Sequence, residues 1–178
     1  MLTTWVLTRS VPKNPYPLTH IDQIINSTVV SELLYFLYAY FGYHQIWMKE
    51  SDQLATSFIT PIGAYCYVTM LFELKNAGAT YQRCMKRCLH EQIGRNTEAY
   101  VDDIVIKSSK ARDLIQDLSK TFDNLWRFKI KLNLEKCTFG VPSGKLLGYI
   151  ISARGIETNP MKVKAILNMG PPQALRDA

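Results

Sequence analysis

Two adjacent acidic residues, Asp102 and Asp103, are the feature of this chain best suited to chemistry. They lie between two apolar runs, Tyr100-Val101 and Ile104-Val105-Ile106, so we expect them at the turn of a β-hairpin. Acids are common in turns, and a solvated hairpin tip is one interpretation of the pair. The other is a magnesium site, because Mg²⁺ prefers carboxylate oxygens and few protein ligands, with substrate phosphates completing its shell.

The cysteines offer a weaker metal candidate. Cys84 and Cys88 lie four residues apart with His90 nearby, but zinc sites usually use shorter spacings and a second pair of ligands elsewhere. We therefore expect these cysteines to be small buried apolar side chains. Four cysteines in 178 residues do not form a disulfide framework, and reduced thiols are typical of an intracellular protein.

Charge is distributed unevenly along the chain. Residues 1–74 carry three basic and five acidic side chains, a net charge of −2, whereas residues 75–178 carry 18 basic and ten acidic ones, a net charge of +8. A basic half suggests an anionic partner such as nucleic acid, and ordinary solvated helix faces are the alternative. The hydrophobic content of 47% excludes wholesale disorder.

One uncharged run, residues 33–48, resembles a membrane span. It falls short of the roughly 20 residues that cross a bilayer, and Gly42, His44 and Gln45 interrupt it. A buried strand followed by a turn explains the run better. The first ten residues lack the basic start and apolar run of a secretory signal, so we expect no membrane partner.

Hydrophobic periodicity predicts two long helices around the acidic pair. The first spans residues 76–93 with Asn76 as its N-cap, and its outer face carries Arg83, Lys86 and Arg87. The second spans residues 111–127. The predicted inward side chains are Tyr81, Met85, Cys88 and Leu89 on the first helix, and Leu114, Leu118, Phe122 and Leu125 on the second.

The remaining elements complete an α+β pattern. We expect a helix over residues 20–27, a strand over 33–38, and hairpins over 56–69 and 137–151. A last helix begins at Asn159-Pro160 and ends at Gly170-Pro171-Pro172. This order predicts one sheet with both long helices on the same face.

Tyr100-Val101-Asp102-Asp103 resembles the YxDD box of reverse transcriptases, and further segments resemble motifs of the same family in the same order. In chain order they are Pro15-Tyr16-Pro17-Leu18 with Ile21-Asp22, Gly42-Tyr43-His44-Gln45-Ile46, Thr56-Ser57-Phe58, Leu74-Lys75-Asn76-Ala77 with Thr80-Tyr81-Gln82, Lys131-Leu132-Asn133 with Glu135-Lys136-Cys137, and Leu147-Gly148-Tyr149. The resemblance covers residues 10–170. The chain is similar to the polymerase of a gypsy-type LTR retrotransposon, in the form common in plant genomes.

The resemblance implies an α+β right-hand polymerase fold with a reverse-transcriptase palm, partial fingers and the beginning of a thumb. Residues 1–14 would be a remnant of the fingers segment, 15–151 the fingers and palm, and 152–178 the start of the thumb, truncated before RNase H. The family copies RNA into DNA from dNTPs on a primer–template. Its two Mg²⁺ ions are normally held by three carboxylates, two of which match Asp102 and Asp103.

The resemblance also implies roles for residues around the acidic pair. Tyr43 matches an aromatic residue that excludes a ribose 2′-hydroxyl, and Lys136 matches a lysine near the leaving pyrophosphate. Phe72 and Glu73 fall in the segment beside the incoming nucleotide. Contacts with nucleic acid are implied for Gln82, Tyr100, Leu147, Gly148 and Tyr149. The structural alternatives are core packing, an exposed lysine and a plain apolar strand.

Two departures from the family pattern affect the chemistry. The family's first catalytic Asp lies five residues before the Tyr that Tyr43 matches, and this chain has Tyr38 there. A neutral phenol cannot replace a charged carboxylate between two Mg²⁺ ions. Glu73 stands where the family has Gly and adds negative charge beside a triphosphate. We therefore expect a decayed piece of a retroelement polymerase whose catalysis is lost; a non-catalytic nucleic-acid-binding relic, or a chain without function, is the alternative.

Overall fold

The computed structural model describes residues 11–29, 31–108 and 110–169. Helices span Ile21–Thr28 (α1), Glu50–Gln53 (α2), Ala77–Cys88 (α3), Ala111–Arg127 (α4) and Pro160–Leu167 (α5). Strands span Leu33–Tyr38 (β1), Phe58–Thr60 (β2), Gly63–Tyr65 (β3), Thr97–Tyr100 (β4), Asp103–Ser108 (β5), Thr138–Val141 (β6), Ser143–Leu146 (β7), Tyr149–Ser152 (β8) and Gly155–Thr158 (β9). Short 3₁₀ turns span Gly42–Gln45, Leu54–Thr56 and Leu134–Lys136.

A four-stranded antiparallel sheet with the order β4-β5-β1-β6 forms the centre of the structure. β1 pairs with β5 along its whole length, and Tyr38 lies opposite Asp103 at one end. Successive side chains of a strand point to opposite faces. Leu37 is therefore buried on one face and Leu34 on the other, so β1 is covered on both sides, as its continuous apolar sequence predicts.

The helices α3 and α4 cover one face of this sheet. Tyr81 and Met85 of α3 and Leu114 of α4 belong to a single buried cluster with Leu37 and Ile104 of the sheet. The prediction that both long helices lie on the same face is confirmed, and so is the α+β fold class. The helices on this face, α3 in particular, support the β4–β5 turn.

The other face carries α1 and the three-stranded sheet β7-β8-β9. Ile24 of α1, Leu146 of β7 and Ile151 of β8 pack there against Leu34. The two sheets approach so closely that β7 needs a glycine, since a Cβ on Gly144 would overlap the Phe36 ring.

Most predicted elements occur close to their expected positions. The helices at 20–27 and 111–127, the strand at 33–38 and the hairpin around residues 61–63 are confirmed as α1, α4, β1 and β2–β3. Asn159 caps α5 by accepting a hydrogen bond from Met161 N at 3.0 Å. The predicted end of that helix, at residues 170–172, lies outside the described residues. None of the helices in the described ranges is both long and apolar enough to cross a membrane.

Three predictions about the helices differ from the structure in detail. Phe122 is 37% exposed, and Thr121 takes the inward position because its hydroxyl is satisfied there, accepting a hydrogen bond from Gln92 Nε2 at 2.9 Å. Asn76 occupies the N-cap position of α3 as predicted, but its side chain makes no capping hydrogen bond, because it accepts from Asn14 N and donates to Pro12 O instead. α3 ends at Cys88, five residues before the predicted end at residue 93.

The predicted hairpin over residues 137–151 is also wrong. β6 pairs with the free edge of β1, and β7 turns at Leu147-Gly148 to pair with β8. Pro142, which lacks a backbone N–H, separates β6 from β7 and lets the chain change sheets.

Candidate functional site

The β4–β5 turn holds the acidic pair in a strained backbone conformation. Val101 has a φ of 51°, which is uncommon for a β-branched residue and costs energy that the surroundings must offset. Gln82 of α3 supplies this support: its amide nitrogen donates to Ala99 O at 2.8 Å, and its amide oxygen accepts from Val101 N at 2.9 Å. Gln82 is 2% exposed, so its observed role is to hold the turn, and contact with a template stays a prediction.

Asp102 is bonded through its backbone, and its Oδ1 atom is buried without a hydrogen-bond partner among the described residues. Its backbone carbonyl accepts a hydrogen bond from Ala39 N at 2.9 Å, which ties the turn to the segment after β1. Its Oδ1 atom and Tyr81 Oη lie together over Gly42, where a Cβ would collide with both. Among the buried side-chain oxygens and nitrogens of the described residues, these two atoms alone have no hydrogen-bond partner.

Burial disfavours the charged form of both acids. Burial raises the pKa of the Asp102 carboxyl, and the nearby Tyr81 hydroxyl and Lys136 ammonium each oppose part of the rise. The Tyr81 hydroxyl has no hydrogen-bond partner in the part of the chain that the structure describes, so we attribute its effect on the Asp102 carboxylate to its nearby dipole. Burial likewise raises the pKa of Asp103, and the negative charge of Asp102 adds to that rise. The turn therefore carries two destabilised carboxylates.

Tyr38 stands beside both acids. It pairs with Asp103 across the β1–β5 ladder, and the two residues line a cavity of about 200 Å³ together with Lys136 and Lys145. Burial and the charges of Asp102 and Asp103 raise the pKa of the Tyr38 phenol, so the phenol is neutral at physiological pH. The Lys136 ammonium lies 4.7 Å from the centre of the Tyr38 ring.

These residues do not fit the pair of Mg²⁺ ions that the resemblance implies. Two carboxylates and a neutral phenol supply one charged ligand fewer than the three carboxylates of the family pattern. No group of three or more His, Cys, Asp or Glu side chains with metal-binding geometry occurs within residues 11–29, 31–108 and 110–169. Asp102 and Asp103 are the hard oxygen donors that the turn offers to a cation.

The predicted nucleotide-contacting residues form an aromatic group next to the turn. The Tyr43 ring lies 5.4 Å from the Tyr81 ring and 5.5 Å from the Phe72 ring, measured between centroids. Burial and the charge of Asp102 raise the pKa of Tyr43. Phe72 is 74% exposed and Glu73 is exposed beside it, so both are accessible to a ligand.

The predicted primer-contacting residues lie in the second sheet. Leu147 and Gly148 form the β7–β8 turn with φ values of 49° and 92°, and Tyr149 begins β8. A Cβ on Gly148 would lie 2.6 Å from Lys162 Nζ of α5, so this turn and α5 are in contact. Tyr100 packs against the apolar cluster under the same sheet. The structure thus gathers Tyr38, Asp103 and Lys136 around one cavity, and Leu146, the last residue of β7 before the turn, lines the same cavity.

Two residues of the site have a role that sequence reasoning missed. Tyr81 is predicted as a core residue of α3, and Gly42 only as part of a motif, yet both lie directly against the Asp102 carboxylate. The available signal is that both residues belong to motifs of the resemblance.

Comparison with known proteins identifies the family. The family model for reverse transcriptase (RNA-dependent DNA polymerase) matches residues 2–151. The chain therefore belongs to the reverse transcriptase family, whose members generally use divalent metal ions. Among curated relatives, it is 35% identical over 153 residues to the retrovirus-related Pol polyprotein from transposon 297 of Drosophila melanogaster, covering 86% of this chain. It is 34% identical over 151 residues to that from transposon gypsy of the same species, covering 85% of this chain.

The chain spans 14% and 15% of the lengths of these two relatives. Among solved structures, it is similar to the foamy viral protease–reverse transcriptase in complex with double-stranded DNA, with a TM-score of 0.91, 18% identity, and coverage of 98% of this chain and 31% of that one. The same viral protein in complex with an RNA/DNA hybrid gives a TM-score of 0.85 at 19% identity, with coverage of 96% and 23%. These similarities confirm the reverse-transcriptase palm fold.

Proposed function

We propose that this chain is the fingers and palm of a retrotransposon polymerase in which nucleic-acid binding is retained and polymerisation is lost. One observation carries the second part: Tyr38 lies directly opposite Asp103, at the end of the strand where the family pattern has a catalytic Asp. A neutral phenol there contributes neither the charge nor the paired oxygens of a carboxylate.

The size of the loss follows from the chemistry of phosphoryl transfer. The reaction depends on neutralising developing charge and on holding the attacking and leaving oxygens in line. Asp102 and Asp103 are the acids that the turn supplies for this purpose. Removing one of three charged ligands is expected to lower the rate by several orders of magnitude, each tenfold factor corresponding to about 1.4 kcal/mol of barrier. Exposed Glu73 adds a negative charge that opposes triphosphate binding.

Incorporation of dNTP on a homopolymer primer–template, with Mg²⁺ or Mn²⁺, tests this proposal. The unmodified chain should give no extension, Tyr38→Asp little, and Tyr38→Asp with Glu73→Gly somewhat more. Adding Asp102→Asn to the double variant is the control and should abolish any gain. Clear extension by the unmodified chain, abolished by Asp102→Asn, would show that another group supplies the third ligand.

Nucleic-acid binding is supported by charge. Residues 75–178 carry a net charge of +8, and the outer face of α3 exposes Arg83, Lys86 and Arg87. The similar viral structures are complexes with double-stranded DNA and with an RNA/DNA hybrid. We therefore expect sequence-independent binding of a primer–template duplex whose affinity falls steeply as salt rises.

Measuring duplex affinity as a function of salt concentration distinguishes a nucleic-acid-binding chain from a chain without function. If Arg83, Lys86 and Arg87 contact phosphates, changing all three to Gln should lower the slope of log affinity against log salt by about 2.7, or about 0.9 per contact. The matched control removes the same charge from exposed positions of α4, with Gln at Arg112, Lys120 and Arg127. A flat titration of the unmodified chain would contradict binding, and equal losses in both triple variants would contradict the α3 face.

We further infer how the chain divides into polymerase subdomains and which type of retroelement it comes from. From the resemblance, residues 15–151 correspond to fingers and palm, and residues 152–178 to the start of a thumb. The assignment to the plant form of gypsy-type elements rests on the motif residues alone and stays a prediction.

A further inference from the structure

Lys136 is held near the acidic pair by the main chain, independently of the side chain at position 38. The 3₁₀ turn Leu134–Lys136 is anchored to the end of β1, because Asn133 N donates to Tyr38 O at 2.8 Å. Tyr38 N in turn donates to Cys137 Sγ at 3.4 Å. These two bonds bracket Lys136 and place its side chain over β1.

The Tyr38 ring then determines the position of the Lys136 ammonium group. Lys136 Nζ lies 4.7 Å from the ring centre, inside the roughly 6 Å range of cation–π attraction. Lys136, Tyr38 and Asp103 line the same cavity of about 200 Å³. Within the described residues, Lys136 makes no ion pair closer than 4 Å with either acid, so its charge acts on them through space.

We propose that Lys136, seated on the Tyr38 ring, is a built-in counter-cation for Asp102 and Asp103. A protein ammonium thus supplies the positive charge that a divalent cation supplies to an acidic pair, and it disfavours the binding of such a cation. The inference rests on the proposed function, since it concerns what replaces the metal-dependent arrangement.

Titration of the purified chain with Mn²⁺, followed by the loss of the free-ion signal in electron paramagnetic resonance, tests the proposal. Lys136→Met removes the charge and keeps the length, so it should raise Mn²⁺ affinity on the order of tenfold, the effect of one unit charge on a divalent ion several ångströms away in a water-like dielectric. Lys145→Met is the matched control, because Lys145 lines the same cavity but is not seated on the ring. Equal affinities of Lys136→Met and the unmodified chain, or equal gains in both lysine variants, would overturn the proposal.

Urea unfolding supplies a readout that needs no metal. Lys136→Met and Tyr38→Leu should be coupled in a double-mutant cycle by about two- to fivefold in the unfolding equilibrium constant, the strength of an exposed cation–π contact. Tyr38→Phe keeps the ring and should preserve the coupling. Absence of coupling would overturn the proposal even if no variant bound Mn²⁺. Polymerisation by the unmodified chain would instead contradict the proposed function and leave this coupling in place.

Discussion

Replacing Gly42 by alanine should destabilise the fold, because two side chains of the candidate site already occupy the space of the new methyl group. A Cβ on Gly42 would overlap Asp102 Oδ1 and would lie 2.5 Å from Tyr81 Oη and 2.6 Å from Tyr81 Cζ. Neither side chain can easily move away from the new methyl group, since Tyr81 is fully buried and the Asp102 carbonyl is bonded to Ala39 N. The backbone conformation at position 42 does not itself disfavour alanine, because Gly42 is not among the described glycines with a positive φ.

Forcing a methyl group into such a space costs about 1–3 kcal/mol. Gly78→Ala is the matched control, because Gly78 lies within α3 and the nearest atom to its Cβ position is Tyr43 Oη at 3.9 Å. Alanine is favoured over glycine inside a helix by about 1 kcal/mol, so this variant should be neutral or more stable. The two glycine-to-alanine changes are thus expected to have opposite signs.

Urea unfolding followed by tryptophan fluorescence measures both free energies of unfolding. Tyr81→Phe removes one of the crowding atoms and should recover part, but not all, of the loss caused by Gly42→Ala. If Gly42→Ala were as stable as the unmodified chain, the close contact of Gly42, Tyr81 and Asp102 would be refuted. A loss of equal size in Gly78→Ala would show a general intolerance of methyl groups instead.

Three further predictions concern packing and charge. Gly144→Ala should destabilise by about 1–3 kcal/mol, because its methyl group would overlap the Phe36 ring, and Phe36→Leu should relieve part of that loss in urea unfolding. Lys107→Met should cost about 3–5 kcal/mol, because it leaves Glu98, its buried partner at 2.8 Å, without a counter-charge; an unchanged unfolding midpoint would contradict this. Asp103→Asn should stabilise the chain at pH 7, because burial raises the Asp103 pKa in the folded state and the charged form is then unfavourable. That gain should shrink as pH falls through the raised folded-state pKa of Asp103, and it should vanish below the ordinary pKa of an aspartic acid side chain, about 3.9, where the carboxyl is protonated in both the folded and the unfolded state. If Asp103→Asn stabilised the chain by the same amount at low pH, burial of the Asp103 charge would be refuted as the cause.

Local patterns predicted the elements well, and contacts between distant residues were not predictable from them. The apolar periodicity of α4 and the acids between two apolar runs are contained in short segments, so the helix and the hairpin follow directly from the sequence. The pairing of β6 with β1 depends on which strand edge is free, which only the assembled sheet determines. The contact of Lys136 with Tyr38 likewise joins residues far apart in the chain.

The supports of the turn also explain why the fold is compatible with a tyrosine at position 38. A polar residue near a catalytic motif suggests a ligand contact, yet Gln82 uses its amide to bond Ala99 and Val101 and so stabilises the strained turn. That support comes from α3 and does not involve the side chain at position 38. At that position the phenol instead packs under Lys136, a contact that an aspartate could not make. On the proposed function, Tyr38 lacks the charge that catalysis needs, and the hydrogen bonds that hold the acidic pair do not depend on that side chain.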